Sequence, residues 1–297
     1  MPEPESHEAL DAAVEEAPAP LAERRDPMGA TFWVCMGWLG LLAVVAVFAK
    51  YLPLQDPNAP NYLDPGANAG PSLGHLLGTD ALTRDILSRL AYGARISLVI
   101  GIGATAIGIG IGGSLGMLSA YVRGRFDAGV SLVMYSGLAF PAIIAVIAVI
   151  SFWGRSQWHV ILVLGLFSVP LIFRLVRAAT LSCATKEYVT AAKSQGATAL
   201  RVVARDIFPN VAPSLVVYSV FTLGGVIATE GALAFLGFSV LPPTPSWGTL
   251  IYDASNDATT NLPLIFAPAI AIFLTLFSLN YVGERFRRRY EPLESRL

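Results

Sequence analysis

The residues best suited to act on another molecule lie between Lys186 and Pro209. They are Glu187-Tyr188-Val189-Thr190-Ala191-Ala192-Lys193-Ser194-Gln195-Gly196, followed by Ile207-Phe208-Pro209. Ala191 and Ala192 give a helix a shallow face onto which a partner can close. Gly196 ends or bends that helix, a second amphipathic piece follows, and Pro209 can open the next helix. The chemistry on offer is docking. A solvated helix–turn–helix connector is the alternative that these residues leave open.

Catalytic patterns fail on their context. The only lysine followed by Ser or Thr is Lys193, and a phosphate-cradling loop would need glycine where Ala192 and Glu187 stand. No triphosphate site is therefore expected in this chain. Gly108-Ile-Gly110-Ile-Gly112-Gly113 satisfies G-x-G-x-x-G but lies inside an uncharged run, without the strand a dinucleotide site requires. The spacing Gly108/Gly112/Gly116 instead suits close approach of two helix backbones. The three histidines are scattered at 7, 75 and 159, and the cysteines, Cys35 and Cys183, imply no disulfide framework. Glu230 is the one ionisable group beside a long apolar run. It faces a cavity or a partner, or else it marks the outer end of a span.

These residues need a membrane scaffold. Charged residues make up 14% of the 297-residue chain, against about 25% in soluble domains, and mean hydropathy is +0.59. Uncharged stretches at Thr31–Ala49, Ile96–Tyr121, Ala128–Gly154, Ser156–Phe173, Ile207–Thr229 and Ala258–Gly283 each approach the ~20 residues that cross a bilayer. The expectation is an all-α polytopic membrane protein with six transmembrane helices, seven being the alternative count. A further uncharged run, Gly231–Tyr252, holds Pro242, Pro243 and Pro245 and cannot be one helix. Its first part, through about Phe238, reads as re-entrant or helix-extending and the rest as a loop.

Residues 1–28 carry eight acidic residues with Ala and Pro, and read as a disordered tail without the features of a signal peptide. Residues 29–297 form the membrane domain. With the N-terminus in the cytoplasm, 15 of the 20 Lys and Arg fall inside, including the run at Arg285–Arg289; Lys50, Arg84, Arg89, Arg95 and Arg155 fall outside. An even span count returns the C-terminus to the cytoplasm. Two long connections remain, an external one at 51–93 and a cytoplasmic one at 178–206.

The cytoplasmic segment resembles the EAA loop of bacterial ABC importer permeases: Ala191, Ala192 and Gly196 are correctly spaced, with Ile207-Phe208-Pro209 ten residues later. Thr190 replaces the motif's Glu, while Glu187 and Tyr188 match the E-Y-V variant of peptide permeases. Leu77-Gly78-Thr79-Asp80 with Gly93-Ala94-Arg95-Ile96-Ser97-Leu98 looks like the segment before the second span in C-type subunits of dipeptide and oligopeptide permeases. Glu230 with Ala234–Phe238, and the outer loop containing Pro243, Ser246 and Trp247, match the same subunits, so the resemblance covers about residues 30–285.

The resemblance implies a type I ABC importer permease fold in a bacterial inner membrane. It implies one half of a peptide translocation pathway, with Glu187, Tyr188, Ala191, Ala192, Gly196, Ile207 and Pro209 coupling to the ATPase. Implied partners are a second, B-type permease, one or two ATP-binding subunits, an extracytoplasmic peptide-binding protein and the lipid membrane, with no nucleic acid. ATP and Mg would reside on partner chains, and this chain would have neither an ATPase site nor a metal. Another cargo of the same subfamily, a nickel chelate or glutathione, is the nearest alternative. A stand-alone secondary carrier would call for intramembrane charges and inverted repeats, and the chain shows one borderline Glu and no repeat.

Overall fold

The computed structural model describes residues 29–59, 66–255 and 262–294. The acidic tail expected over 1–28 lies outside the described residues. Among the described residues the regular elements are helices, joined by turns and loops, with one isolated bridge pairing Thr79 with Asp85. The helices are α1 (Ala30–Phe48), α2 (Ile86–Val122), α3 (Gly124–Leu138), α4 (Ala142–Trp153), α5 (Gln157–Ala184), α6 (Glu187–Ser194), α7 (Ala199–Phe235), α8 (Trp247–Ser255) and α9 (Leu262–Glu294). Five of them are long and apolar enough to cross a membrane, and the count is six where the bent pair α3–α4 is taken as one span. α8, with nine residues, is too short for a seventh.

Several boundaries move, each for a physical reason. The third span is not one helix: α3 and α4 meet at 87° across a break at 139–141, where Pro141 cannot continue the hydrogen-bond ladder. The second span begins at Ile86 instead of Ile96, because the Asp85 side chain accepts a hydrogen bond from Ser88 N (2.7 Å) and caps the helix there. Arg84 and Arg89, two of the bases expected on the external side of the membrane, are buried within the protein. Arg84 donates to Asp80 (2.7 Å) and Arg89 to Asp253 on α8 (3.0 Å), so their charges are met inside the protein.

The fourth span runs past Phe173 to Ala184. Arg177, on the added length, makes a bidentate pair with Asp127 on α3, at 2.7 and 2.6 Å, which anchors that length to the bundle. The connection expected over 178–206 is correspondingly shorter and mostly helical. The span expected to begin at Ile207 begins at Ala199, and a π turn over Val202–Ile207 lies within it.

The bundle is built around α5 and α7. α2 packs along α5 with the face that carries Gly108, Gly112 and Gly116. A Cβ at Gly112 would sit 2.6 Å from the Val169 carbonyl, and one at Gly116 2.8 Å from the Phe173 carbonyl, so the backbones touch there. α9 packs on α7, and α1 lies against α9 and α2. α6 and most arginines gather at one end of the bundle, here the basic end, while α8 closes the other.

Candidate functional site

Two features stand at opposite ends of α7. At the basic end, α6 and the start of α7 form a helical hairpin. α6 closes with Gly196 at φ +78°, where Gly196 N donates to Lys193 O (3.0 Å) and Ala197 N donates to Ala192 O (3.1 Å). That pair of bonds satisfies the last carbonyls of the helix and needs a left-handed residue, which is why glycine stands there.

The hairpin is seated by its own apolar face. Val189 is fully buried in a cluster with Ile172, Val176, Cys183, Val202, Ile207 and Val211, and Ala192 packs against that cluster. Lys193 lies over the Tyr121 ring at 4.8 Å, tying α6 to the end of α2. Tyr188 is exposed at its outer edge, yet partial desolvation against the hairpin pushes its phenol above the ordinary pKa, with the Cys183 thiol beside it as the next cause.

The predicted docking residues therefore divide. Glu187, Tyr188, Ala191 and Gly196 are exposed on the outward side of α6. Ala192 and Ile207 face inward and serve the seat, so the shallow face expected from both alanines belongs to Ala191 alone. Pro209 stands exposed just beyond the π turn, in the first α turn that follows it. Leu200, which the sequence reading passed over, is 79% exposed beside this hairpin.

At the opposite end Glu230 is 1% exposed and sits in a cage of hydroxyls. Its Oε1 accepts from Ser239 Oγ (2.8 Å) and Ser246 Oγ (2.9 Å), and its Oε2 accepts from Ser97 Oγ (3.2 Å). Ser97 Oγ also accepts from Trp247 N (3.3 Å), and the buried Trp247 indole donates to Leu90 O (3.2 Å). The carboxyl is buried among these hydroxyls. It ties α7, α2 and α8 into one knot.

Of the outer-loop residues, Ser246 and Trp247 belong to that knot, whereas Pro243 is exposed and outside it. The run after Glu230 extends the helix and is not re-entrant: α7 ends at Phe235 with Gly237 at φ +81°, closed by Phe238 N to Leu233 O (2.7 Å). α8 itself was read as loop, because the prolines before it masked the short helix they introduce.

Replacing Glu230 by Leu removes the shared acceptor of three serine hydroxyls. Each buried unsatisfied group costs about 1–3 kcal/mol. We expect faster proteolysis of the 236–246 segment and a lower unfolding temperature in detergent for Glu230→Leu, with Glu230→Gln intermediate because it keeps one carbonyl acceptor. Equal protease sensitivity in wild type and Glu230→Leu would show that the knot contributes nothing.

Comparison with known proteins fits this arrangement. A family model described as the binding-protein-dependent transport system inner membrane component matches residues 108–294, which include both ends of α7. The glutathione transport system permease protein GsiD of Pectobacterium atrosepticum is 37% identical over 85% of this chain and 83% of its own length. GsiD of Escherichia coli is 38% identical over the same shares. In fold, the chain is similar to inward-facing forms of the MetNI methionine ABC transporter, with TM-scores of 0.59 and 0.57 at 19% and 21% identity. The likeness covers 69% of this chain and 97% of theirs. The chain belongs to the family of inner membrane components of binding-protein-dependent transport systems.

Proposed function

We propose that this permease subunit of an ABC importer carries a short peptide or peptide-like cargo of the glutathione class, and that α6 is the element through which separate ATPases drive it. The observation that carries the cargo reading is the 253-residue similarity to the glutathione permeases, which spans 85% of the chain. Glutathione is itself a tripeptide, so a peptide importer and a glutathione importer ask for related chemistry from the pathway.

In this reading the N- and C-termini and the basic end face the cytoplasm, where the arginine excess favours them. A second permease completes the pathway, an extracytoplasmic binding protein delivers the cargo, and ATP with Mg acts on partner chains. Closure of the ATPases on the outward face of α6 moves the hairpin as a unit, because Val189 and Ile207 bind both of its arms to one core. The motion reaches α5 and α7 directly and switches the side to which the pathway opens, two discrete states biased by nucleotide.

The test is uptake by vesicles holding the complete transporter and its binding protein. ATP-dependent uptake of labelled glutathione, competed by short peptides, is the expected result. Uptake of a nickel chelate without competition by glutathione or peptides would overturn the cargo reading and leave the coupling reading standing. The purified chain alone is expected to hydrolyse no ATP.

A further inference from the structure

The flank of the bundle between α1 and α2 holds a groove of about 540 Å³. Ala43, Ala46 and Val47 of α1 and Leu98, Val99 and Ile102 of α2 line it, and the small alanines leave the space open. Arg95 stands in the same wall, on the stripe 95, 98, 99, 102 that one helix face presents. It is exposed, and no hydrogen bond or ion pair engages it among the described residues. Thr275, the other polar group of the lining, is already used: its hydroxyl accepts from the Trp38 indole (3.2 Å) and donates to Ala271 O (2.7 Å). The groove thus offers an apolar channel with a single free guanidinium.

Depth decides what can meet that charge. α2 has 37 residues, about 55 Å of helix, against about 30 Å of hydrocarbon. Centred in the bilayer, it leaves about 12 Å beyond the hydrocarbon at each end. Arg95 lies nine residues in from Ile86, about 13 Å, and so stands at the boundary between headgroups and hydrocarbon. From Arg95 to Ile102 the stripe then descends about 10 Å toward the midplane, within the ~15 Å of one leaflet. A guanidinium at headgroup depth above an apolar channel of leaflet length is complementary to one kind of neighbour, a phosphate carrying an acyl chain. Arginine suits it because its planar donors engage phosphate oxygens in pairs.

The geometry points to a glycerophospholipid site: one acyl chain lies in the groove between α1 and α2, and Arg95 holds the phosphate. The lipid would fill the gap beside α1, whose own apolar window is only 17% buried within the chain, and so secure that helix to the bundle.

The test uses the complete transporter in vesicles of phosphatidylglycerol doped with a phosphatidylglycerol that bears a photoreactive diazirine on one acyl chain. Irradiation followed by peptide mapping should place adducts on the Ala43–Val47 and Leu98–Ile102 segments. Arg95→Ala should lower that yield about tenfold, the loss expected when a charge-assisted pair is removed, and Arg95→Lys should restore part of it. A diazirine diacylglycerol, which lacks the phosphate, should label wild type no better than Arg95→Ala. Ala46→Phe fills the groove with Arg95 intact and should abolish the adducts, so a folding defect at Arg95 would not decide the matter. Equal labelling of wild type and Arg95→Ala overturns the phosphate contact. Absence of adducts on this face of the assembled transporter means that another protein chain covers it, and overturns the site.

Discussion

Gly116→Val should reduce the amount of folded protein in the membrane by more than about tenfold, while Gly110→Val should leave it near wild type. The two glycines belong to one glycine-rich segment of α2 but meet different surroundings. A Cβ at Gly116 would stand 2.8 Å from Phe173 O and 3.1 Å from Arg177 N, both backbone atoms of α5, whereas a Cβ at Gly110 meets nothing within 4 Å. α5 cannot easily retreat, because Phe173 is fully buried and Arg177 is held at both ends of its guanidinium by Asp127. Overpacking a tight contact typically costs about 1–3 kcal/mol and more when backbone must move. In a membrane no hydrophobic drive between helices offsets it. Size-exclusion chromatography of detergent extracts with a fluorescent tag measures the difference. Similar peaks for both variants would show that the α2–α5 contact has slack the coordinates do not suggest.

Val189→Asp should abolish transport while leaving the spans inserted. α6 has eight residues, too few to persist without tertiary support, and its seat depends on Val189 with help from Ala192. A carboxylate at Val189 forfeits about 1.5–3 kcal/mol of burial and adds the cost of a charge in an apolar cluster, so the hairpin leaves its seat. Cys183 reports this without any transport assay: it is a buried thiol, outside any disulfide, in the same cluster, and its maleimide labelling should rise sharply in Val189→Asp. Ala191→Asp separates seat from docking face. It should keep Cys183 protected yet prevent co-purification of the ATPases. Labelling of Cys183 unchanged by Val189→Asp would remove the premise that α6 moves with α5 and α7. Gly196→Val is a milder relative, since a left-handed non-glycine residue costs about 1–2 kcal/mol.

Features that depend on composition over about twenty residues were legible in the sequence. The five long membrane-spanning helices and the bent α3–α4 pair follow from uncharged length, and the close approach at Gly108, Gly112 and Gly116 follows from small residues at helical spacing. What the sequence hid was compensation at long range. Arg89 counted only as an external-side base until Asp253, far along the chain, came to lie beside it. Arg177 counted only as a base of the cytoplasmic end until Asp127 on another helix matched it. Glu230 could be narrowed only to a cavity or an interface, because its partners, Ser97, Ser239 and Ser246, are ordinary residues until folding brings them to one carboxyl. The direction of Ala192 was hidden for a related reason. An eight-residue helix has too few turns for its pattern to show which face it buries.

α7 spans 37 residues, about 55 Å as a continuous helix, with the α6 hairpin at its foot and the Glu230 knot at its head. A beam fixed to a moving block at one extremity and riveted at the other cannot tilt without dragging its rivets. In the proposed coupling, rocking of the basic end is therefore expected to appear as displacement of Trp247 and the short helix it begins. Under that proposal, this far portion of the protein would report which way the pathway stands.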